Sequence, residues 1–270
     1  MGIFDFFSTD VISKPTYNFL IVAALQEELN EFYKLDSAFK SKKLIEGGAV
    51  ELSYSCREYN INLITYTPNK MGMPFNAAAI MNIISIHQPF YTIMIGTCAS
   101  VSSKHKLGDV LIPDRVFSYE SGKYEKGIFK PDYVSHSTGD ELRKQAEILK
   151  SELQAKLNFG VTTDEDFCSG AAVVDDNELG IEIINRCGRK LSGLDMEAFS
   201  IACINTVLKG SKELLVIKGI SDFARDKGDT EQLGNKEIAK QNSAKYAFEL
   251  VKHLQSTLFT NRTGITLEGI

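Results

Sequence analysis

The amino-acid sequence predicts a single α/β domain with a twisted, mixed and largely parallel central sheet flanked by helices. Short apolar runs rich in branched residues alternate with segments of helical spacing over most of the 270 residues, which is the pattern of such a fold. With 43% hydrophobic and 24% charged residues, the chain can bury a substantial core. No repeat, low-complexity stretch or linker divides it, so we predict one domain over 17–258, with loosely ordered termini at 1–16 and 259–270.

In the first half of the chain, strands are predicted where apolar runs of strand length end at polar, glycine or proline residues, and helices where apolar residues recur at a helical period. The predicted strands are 18–24, 49–57, 60–67, 91–100 and 108–119. The predicted helices are 25–35 and 76–87. The strand at 91–100, YTIMIGTCAS, is expected to end in a small-residue turn at Gly96–Ala99.

The second half continues the alternation. The predicted strands are 160–174, a short strand ending near Leu194, and 213–223. The predicted helices are 138–156, 179–187, 195–208 and roughly 235–257. The last helix is amphipathic and therefore presents one apolar face to the core. Strands that alternate with helices favour parallel pairing, because each helix crosses over a face of the sheet.

Composition and charge exclude several kinds of partner. Thirty Lys and Arg against 35 Asp and Glu leave a net charge of -5, which offers no attractive field to a nucleic-acid polymer or an anionic membrane. Residues 71–103 contain no Lys, Arg, Asp or Glu, but prolines and polar residues interrupt them too often for a membrane span. We therefore expect a small-molecule partner.

The cysteines indicate a reducing compartment. There are five, widely spaced and without a C-x-x-C pair, which argues against both a disulfide framework and a zinc site. We expect the cysteines to fill the core. We predict a cytoplasmic protein. We also predict that it uses neither a metal nor an organic cofactor.

Four predicted strands end in residues that could carry chemistry, and ligands bind at the carboxyl ends of the strands in such a sheet. These ends carry Glu27–Glu28, Gly96–Ser100, Met196–Glu197 and Ser221–Asp222. Acidic residues and a small-residue segment that converge on one cleft predict an active site.

Four segments that contain these ends resemble, in the same order, the signatures of the nucleoside phosphorylase superfamily. They are AALQEEL (23–29), IGTCASVSSKHKLGDVLIPD (95–114), GLDMEAFSIA (193–202) and VIKGISDFA (216–224). They are most similar to the hydrolytic branch, the methylthioadenosine/S-adenosylhomocysteine nucleosidases, and the match extends over roughly 20–255. The resemblance implies a phosphorylase-like fold and cleavage of the bond between a purine and its ribose.

The resemblance also implies a role for each matching residue. Glu28 would activate the attacking water, Glu197 would accept hydrogen bonds from the ribose hydroxyls, and Met196 would pack under the sugar. Asp222 would protonate the imidazole-ring nitrogen of the leaving purine, and Ser221 would orient Asp222. An aspartate at this place resembles the members that act on 6-aminopurines, so adenine is the expected leaving group.

The reaction independently calls for these residue types. Cleavage of an N-ribosidic bond builds positive charge on the sugar, as in glycoside hydrolysis, and negative charge on the base. Carboxylates near the sugar stabilise the positive charge, and an acid near the base neutralises the negative charge. A positioned acid contributes about 10²–10⁴ in rate. Phosphorolytic relatives hold phosphate with arginines, and Met94 occupies one of those places here, so water is the expected nucleophile.

The base-binding side departs from the resemblance. The nucleosidases usually place an aromatic residue in the stretch that corresponds to Gly170–Asp175. This chain instead has Ala172, Val173 and Val174 there. Phe167 or Phe223 could contact the base in its place. The other predicted substrate contacts are Gly96, Thr97, Cys98, Ala99, Val173 and Val174.

Two features resemble the phosphorylase-type nucleosidase modules of bacterial immune systems, namely SYESGKYEKG (118–127) and Lys218 in VIKGISD. Some of those modules resemble nucleotide hydrolases, so AMP or ATP is an alternative substrate and antiphage defence a possible role. Lys123, Arg225 and Lys227 are the candidate phosphate ligands in that case.

Two alternative functions stay open. A phosphate-dependent purine nucleoside phosphorylase would require phosphate and release ribose 1-phosphate. A non-catalytic nucleotide-sensing module would bind its ligand without turnover, although a sensor has no need of a proton donor. The resemblance further implies a homo-oligomer, either a dimer or a hexamer, for which the uncharged region 71–103 supplies apolar surface.

Overall fold

The computed structural model describes residues 17–35, 39–55, 60–132, 134–176, 178, 182–183, 187–209, 211–224 and 230–259. The strands within these ranges are β1 (Phe19–Ala23), β2 (Phe39–Leu44), β3 (Val50–Ser55), β4 (Asn60–Tyr66), β5 (Tyr91–Ser100), β6 (Val110–Ser118), β7 (Gly122–Glu125), β8 (Ile128–Pro131), β9 (Ser135–Ser137), β10 (Val161–Ser169), β11 (Leu191–Asp195) and β12 (Glu213–Asp222). The α-helices are α1 (Gln26–Lys34), α2 (Met73–His87), α3 (Asp140–Leu153), α4 (Ala198–Val207) and α5 (Thr230–Leu254).

The described strands form one large sheet and one separate hairpin. The large sheet has the order β11-β10-β6-β12-β5-β1-β4-β3-β2, with β9 added to β6, and β7 pairs with β8 apart from it. Pairing is parallel along β4-β1-β5-β12 and along β6-β10-β11, and antiparallel at the other contacts. The predicted α/β fold with a mixed central sheet is confirmed.

Strand β5 is the pivot of this topology because it pairs with three other strands. β1 lies on one side and β12 on the other, and the last residues of β5 also pair with β11. The pairing with β11 closes the strands from β5 through β12, β6, β10 and β11 into a ring. As a result, the carboxyl ends of β1, β11 and β12 lie beside the second half of β5.

The prediction of a turn at Gly96–Ala99 is wrong, because β5 continues as a strand through Ser100. Partners β12 and β11 extend the hydrogen-bonded ladder beyond the point where the apolar run ends. Strands β2, β7, β8 and β9 had no predicted counterpart, since their polar or exposed residues lack the apolar run on which strand prediction depends. The predicted helix at 179–187 falls mostly outside the described residues.

Three apolar clusters fix the strand ends in place. The first packs α1, α3 and α5 on one face of the sheet and includes Phe32 and Tyr246. The second packs α2 and α4 on the other face and includes Ile80 and Ile201. The third is smaller and groups residues of β5, β6, β10 and β11 around Leu194. Among the described residues, no helix has both the length and the apolar character that crossing a membrane requires.

Candidate active site

Glu28 lies in the first turn of α1, directly after β1. Its Oε2 accepts a hydrogen bond from the Leu25 amide at 3.2 Å, and its Oε1 accepts one from the Thr97 amide at 3.1 Å. The first bond caps the helix, and the second fixes the carboxylate against β5. Glu28 is only 5% exposed, so it is not the solvated surface charge that an isolated helical glutamate would be.

Lys218 lies opposite Gly96, where β12 pairs with β5, and it is wholly buried. Its Nζ is 3.2 Å from Asp195 Oδ2 and 3.8 Å from Glu197 Oε2. The Glu28 carboxylate also faces this ammonium group closely enough to raise its pKa. We call Glu28, Asp195, Glu197 and Lys218 the carboxylate–lysine cluster.

The close approach of these groups depends on glycine at position 96. A Cβ atom there would lie 2.6 Å from Glu28 Oε1 and 3.1 Å from Lys218 Nζ, so any larger residue would displace both side chains. The φ of Gly96 is +148°, a conformation that residues with a side chain rarely adopt. Gly96 therefore leaves the space in which an acid from α1 and a lysine from β12 meet.

Asp195 is the last residue of β11, and Glu197 directly precedes α4. Asp195 accepts a hydrogen bond from the Ser169 hydroxyl at 2.6 Å and from the first amide of α4 at 3.0 Å. Glu197 accepts one from the Gly72 amide at 3.0 Å, in the loop before α2. Met196, between them, is half-buried. The cluster thus joins α1, β11, β12, the start of α4 and the loop before α2.

The cluster contains three carboxylates for one ammonium group, which is a costly imbalance for buried charges. Burial raises the pKa of Glu197 to about 6, against the opposing effect of Lys218, and the Asp195 carboxylate adds to the rise. Burial alone would lower the pKa of Lys218, but the surrounding carboxylates outweigh it and raise that pKa. Within the described ranges, no group of His, Cys, Asp or Glu side chains is arranged to hold a metal ion. Because its carboxylates outnumber its one ammonium group, the cluster is suited to stabilise positive charge on a bound organic molecule.

Asp222 is the last residue of β12 and is half-buried. Its Oδ1 accepts a hydrogen bond from the Ala224 amide at 2.9 Å, and its Oδ2 is 2.8 Å from the Ser221 hydroxyl, which donates to it. The Ser221 oxygen is also 3.2 Å from the Cys98 carbonyl oxygen. When Asp222 is protonated, the Ser221 hydroxyl can donate to that carbonyl and accept from the acid, so this pair can hold a proton.

Strand pairing at Ala99 brings Asp222 close to the residues that precede the carboxylates of the cluster. Ala99 pairs with Asp222 of β12 on one side and with Leu194 of β11 on the other. Paired strands are about 4.8 Å apart. Thr97, which holds Glu28, lies two residues back, about 7 Å along the strand. The three acids that the sequence predicts as catalytic therefore surround one end of β5.

The predicted base contacts lie in different surroundings. Val174 is buried in the third apolar cluster, whereas Val173 is 58% exposed. Phe167 packs against Gly193 in the second apolar cluster and has no exposed surface. Phe223 directly follows Asp222 and is half-buried. Of the two predicted aromatic contacts, Phe223 is therefore the one that is partly exposed and adjacent to a residue of the site.

Of the three predicted phosphate ligands, Lys123 is the one that lies within the described residues. Lys123 lies on the separate β7–β8 hairpin with a side chain that is 73% exposed, 3.7 Å from Glu125. Arg225 and Lys227 lie outside the described residues. The structure therefore relates only Lys123 to the rest of the molecule, and it places this lysine on the surface.

Three residues of the site are not among those that the sequence predicts. Asp195 and Lys218 complete the cluster, and the signal for them is a charged residue inside an otherwise apolar strand, which has to be paired when buried. Tyr119 is the third: its hydroxyl donates to the Ala172 carbonyl at 2.7 Å, and its ring occupies the space that a side chain at Gly170 would need. Burial raises the pKa of Tyr119 to about 12. Tyr119 thus places an aromatic ring beside Gly170–Asp175, a stretch that contains no aromatic residue.

Sequence comparison finds relatives over nearly the whole chain. A family model described as the phosphorylase superfamily matches residues 18–255. The 5'-methylthioadenosine/S-adenosylhomocysteine nucleosidase of Buchnera aphidicola subsp. Schizaphis graminum is 26% identical over 247 residues, covering 87% of this chain and 97% of that protein. An uncharacterized protein of Sinorhizobium fredii, y4jS, is 27% identical over 179 residues, which are 60% of this chain but only 43% of that relative's length.

Solved structures share the fold. The futalosine hydrolase of Helicobacter pylori is similar with a TM-score of 0.72 at 18% identity, covering 88% of this chain and 98% of that chain. The 5'-methylthioadenosine/S-adenosyl homocysteine nucleosidase of Helicobacter pylori gives a TM-score of 0.71 at 18% identity, covering 89% of this chain and 100% of that one. At such low identity, these similarities establish the architecture.

Proposed function

The chain belongs to the phosphorylase superfamily, and on that premise we propose that it is a nucleosidase that hydrolyses the N-ribosidic bond of an adenine nucleoside or nucleotide. One observation carries the proposal: the carboxylate–lysine cluster and Asp222 lie around the same end of β5. The similarity to a curated nucleosidase supports nucleoside hydrolysis in general. The choice of adenine depends on the aspartate at position 222.

At the sugar, the negative cluster would stabilise the positive charge that develops as the N-ribosidic bond breaks. Glu28, held in place by the Thr97 amide, would take a proton from the attacking water. Glu197 would accept hydrogen bonds from the ribose hydroxyls. Lys218 is a positioning residue, because its ammonium group is already paired with Asp195 and Glu197 and holds these carboxylates in place.

At the base, Asp222 would donate a proton to the leaving purine and so remove the negative charge that develops there. Ser221 would hold the protonated form by accepting a hydrogen bond while donating to the Cys98 carbonyl. The Ala224 amide fixes the other carboxyl oxygen, so the acid has one defined orientation.

The charges of the site favour water over phosphate as the nucleophile. A phosphate dianion would meet three carboxylates and an ammonium group that is already paired, so Coulomb repulsion would oppose its entry. Of the described arginines, Arg189 is exposed in the turn before β11. The other two are paired: Arg115 makes two hydrogen bonds with Asp166, and Arg143 pairs with Asp114. Neither guanidinium is thus available as the bidentate phosphate partner that phosphorolysis uses.

The proposal also covers the biological context. If AMP or ATP is the substrate, depletion of nucleotides in antiphage defence would be the role, as the resemblance of 118–127 implies.

We further propose a homo-oligomer with its contact near the site. Met71 and Phe75 are 55% and 46% exposed on either side of Gly72, whose amide holds Glu197. An exposed apolar surface at this place suits a subunit contact, which light scattering would test.

A substrate panel tests the reaction. The purified protein is incubated with adenosine, methylthioadenosine, AMP and ATP, each with and without phosphate, in water enriched in ¹⁸O. We expect free adenine by chromatography, no requirement for phosphate, and a mass increase of about 2 Da in the released sugar, because water supplies the new oxygen.

Paired variants connect the reaction to the site. Glu28→Gln should abolish adenine release, whereas Glu27→Gln should leave it unchanged, because the Glu27 side chain is half exposed and pairs with Lys236. Absence of adenine from all four substrates would refute the proposal. Ribose 1-phosphate in place of labelled sugar would assign phosphorolysis, and tight binding without turnover would assign a sensing module.

A further inference from the structure

Two cysteines lie beside the site and have no part in the proposed hydrolysis. Cys168, in β10, is wholly buried, and its thiol donates a hydrogen bond to the Cys187 sulfur at 3.0 Å. Cys187 is partly exposed and precedes β11. Both pack in the third apolar cluster. Their separation of 19 residues follows none of the short cysteine motifs, which is why the sequence pattern does not predict the pair.

The two cysteines differ in burial. The hydrogen bond to Cys187 and burial both raise the pKa of Cys168, so Cys168 remains a thiol. Cys187, which accepts this hydrogen bond, is the more exposed of the two residues. A partly exposed cysteine with a second thiol in contact is the arrangement found in oxidation-sensitive cysteine pairs.

We propose that Cys168 and Cys187 form an oxidation site that reacts with hydrogen peroxide and closes to an intramolecular disulfide. The Cys187 thiolate attacks one peroxide oxygen; the S–O bond forms, the O–O bond breaks, and the departing hydroxide takes up the proton that Cys187 released. The Cys168 sulfur then attacks the Cys187 sulfenic acid; the S–S bond forms, the S–O bond breaks, and the hydroxide leaves as water with the Cys168 proton. Two thiols lose two electrons, and one peroxide becomes two waters.

Closure requires only a small movement. A disulfide has a sulfur–sulfur distance of about 2.05 Å, so the two atoms approach each other by about 1 Å from their present contact. A dithiol reductant reverses the reaction by thiol–disulfide exchange. Such a transient disulfide is compatible with a reducing compartment, where redox-sensing pairs occur without a permanent framework.

The disulfide would also constrain the candidate base-binding wall. The loop that it closes contains Gly170–Asp175, including the buried Val174. Next to Cys168, the Ser169 hydroxyl holds Asp195, and its oxygen accepts the Phe199 amide at 3.0 Å. This consequence rests on the proposed function: if the wall admits the base, oxidation should raise KM several-fold and change kcat less, because Glu28 lies on α1 and Asp222 on β12, outside the closed loop.

The covalent step is tested without any activity assay. Hydrogen peroxide is added to the reduced protein, and intact mass, thiol titration under denaturing conditions and peptide mapping are recorded. The wild type should lose about 2 Da and titrate three thiols instead of five, with Cys168 linked to Cys187. Cys187→Ser should show no such loss, whereas Cys203→Ser, a half-buried control on α4, should lose about 2 Da like the wild type.

Two results would overturn the oxidation site. One is a linkage between other cysteines in the wild-type peptide map, and the other is a 2 Da loss, by the same mass measurement, that persists in Cys187→Ser. The coupling to the base-binding wall is judged separately by kinetics before oxidation, after oxidation and after reduction. A disulfide that forms while KM and kcat stay unchanged refutes the coupling alone, and a protein without nucleosidase activity still reports on the disulfide.

Discussion

The sugar side and the base side of the candidate site are built in opposite ways. On the sugar side, three carboxylates and one ammonium group form a buried network whose members come from α1, β11, β12 and the start of α4. On the base side, Asp222 stands at the half-buried end of a single strand, held by its neighbour Ser221 and one backbone amide.

This difference separates stability from catalysis. A buried network of charges is interdependent, so removal of one member leaves the others unpaired and destabilises the fold. A half-buried acid with local hydrogen bonds can change without such a cost. Substitutions on the base side should therefore affect the rate alone, and substitutions on the sugar side should affect both the rate and the free energy of unfolding.

The largest effect confined to the rate is expected on the base side. Asp222→Asn keeps the shape and the acceptor for the Ala224 amide but removes the transferable proton, so kcat should fall by about 10²–10⁴. The free energy of unfolding should change by less than about 1 kcal/mol. Steady-state kinetics and urea denaturation measure the two quantities. A loss of stability as large as the loss of activity would erase the distinction between the two sides.

The largest effect on stability is expected on the sugar side. Lys218→Met leaves Asp195 and Glu197 buried without their cation, and should lower the free energy of unfolding by about 3–5 kcal/mol, with loss of activity. Lys240→Met is the matched control: this lysine is 3% exposed, but its partners Glu27 and Glu237 are about half exposed and stay solvated. The control should lose far less stability. Equal losses in urea denaturation would show that burial of the lysine stem, and not the cluster, is what matters.

A smaller effect is expected from pH, again on the sugar side. The folded-state pKa of Glu197 is raised from 4.5 to about 6, so its contribution to stability is fully present below about pH 4.5 and is lost as the pH rises through about 6. Relative to Glu197→Gln, the wild type should lose about 2 kcal/mol of unfolding free energy from well below the lower pKa to well above the higher one. In the same window, kcat/KM should rise with pH as the carboxylate becomes able to accept ribose hydroxyls. The pH profiles of both proteins check this, and a difference that does not vary with pH would contradict the assigned shift.

Much of the fold follows from local sequence, but part of the site does not. The strands β1, β5 and β12 are predicted because their apolar runs are long enough to be buried on both faces. The edge strand β2 and the β7–β8 hairpin are missed because their residues are largely polar or exposed and form no apolar run, although each strand pairs with a neighbour. The continuation of β5 through Gly96–Ala99 is missed for a related reason: distant strands supply its hydrogen-bond partners.

The same limit applies to the residues of the site. Glu28, Glu197 and Asp222 are predicted because they stand at strand ends and match family signatures. Lys218 and Asp195 have a different role that emerges only when β12 and β11 are placed on either side of β5, since each needs the other as its partner. A charged residue within an apolar strand indicates that a partner exists, but the sequence does not say which one.

The smallest effect is expected at Lys123, which lies outside both sides of the site. Its side chain is 73% exposed on the β7–β8 hairpin and 3.7 Å from Glu125, so Lys123→Ala should change KM for AMP by less than about twofold. KM for adenosine, measured in parallel, separates a phosphate contact from a general effect on the fold. If KM rises about tenfold for AMP but not for adenosine, the lysine does bind phosphate, and the substrate-binding region then extends from the carboxyl end of β5 to the hairpin.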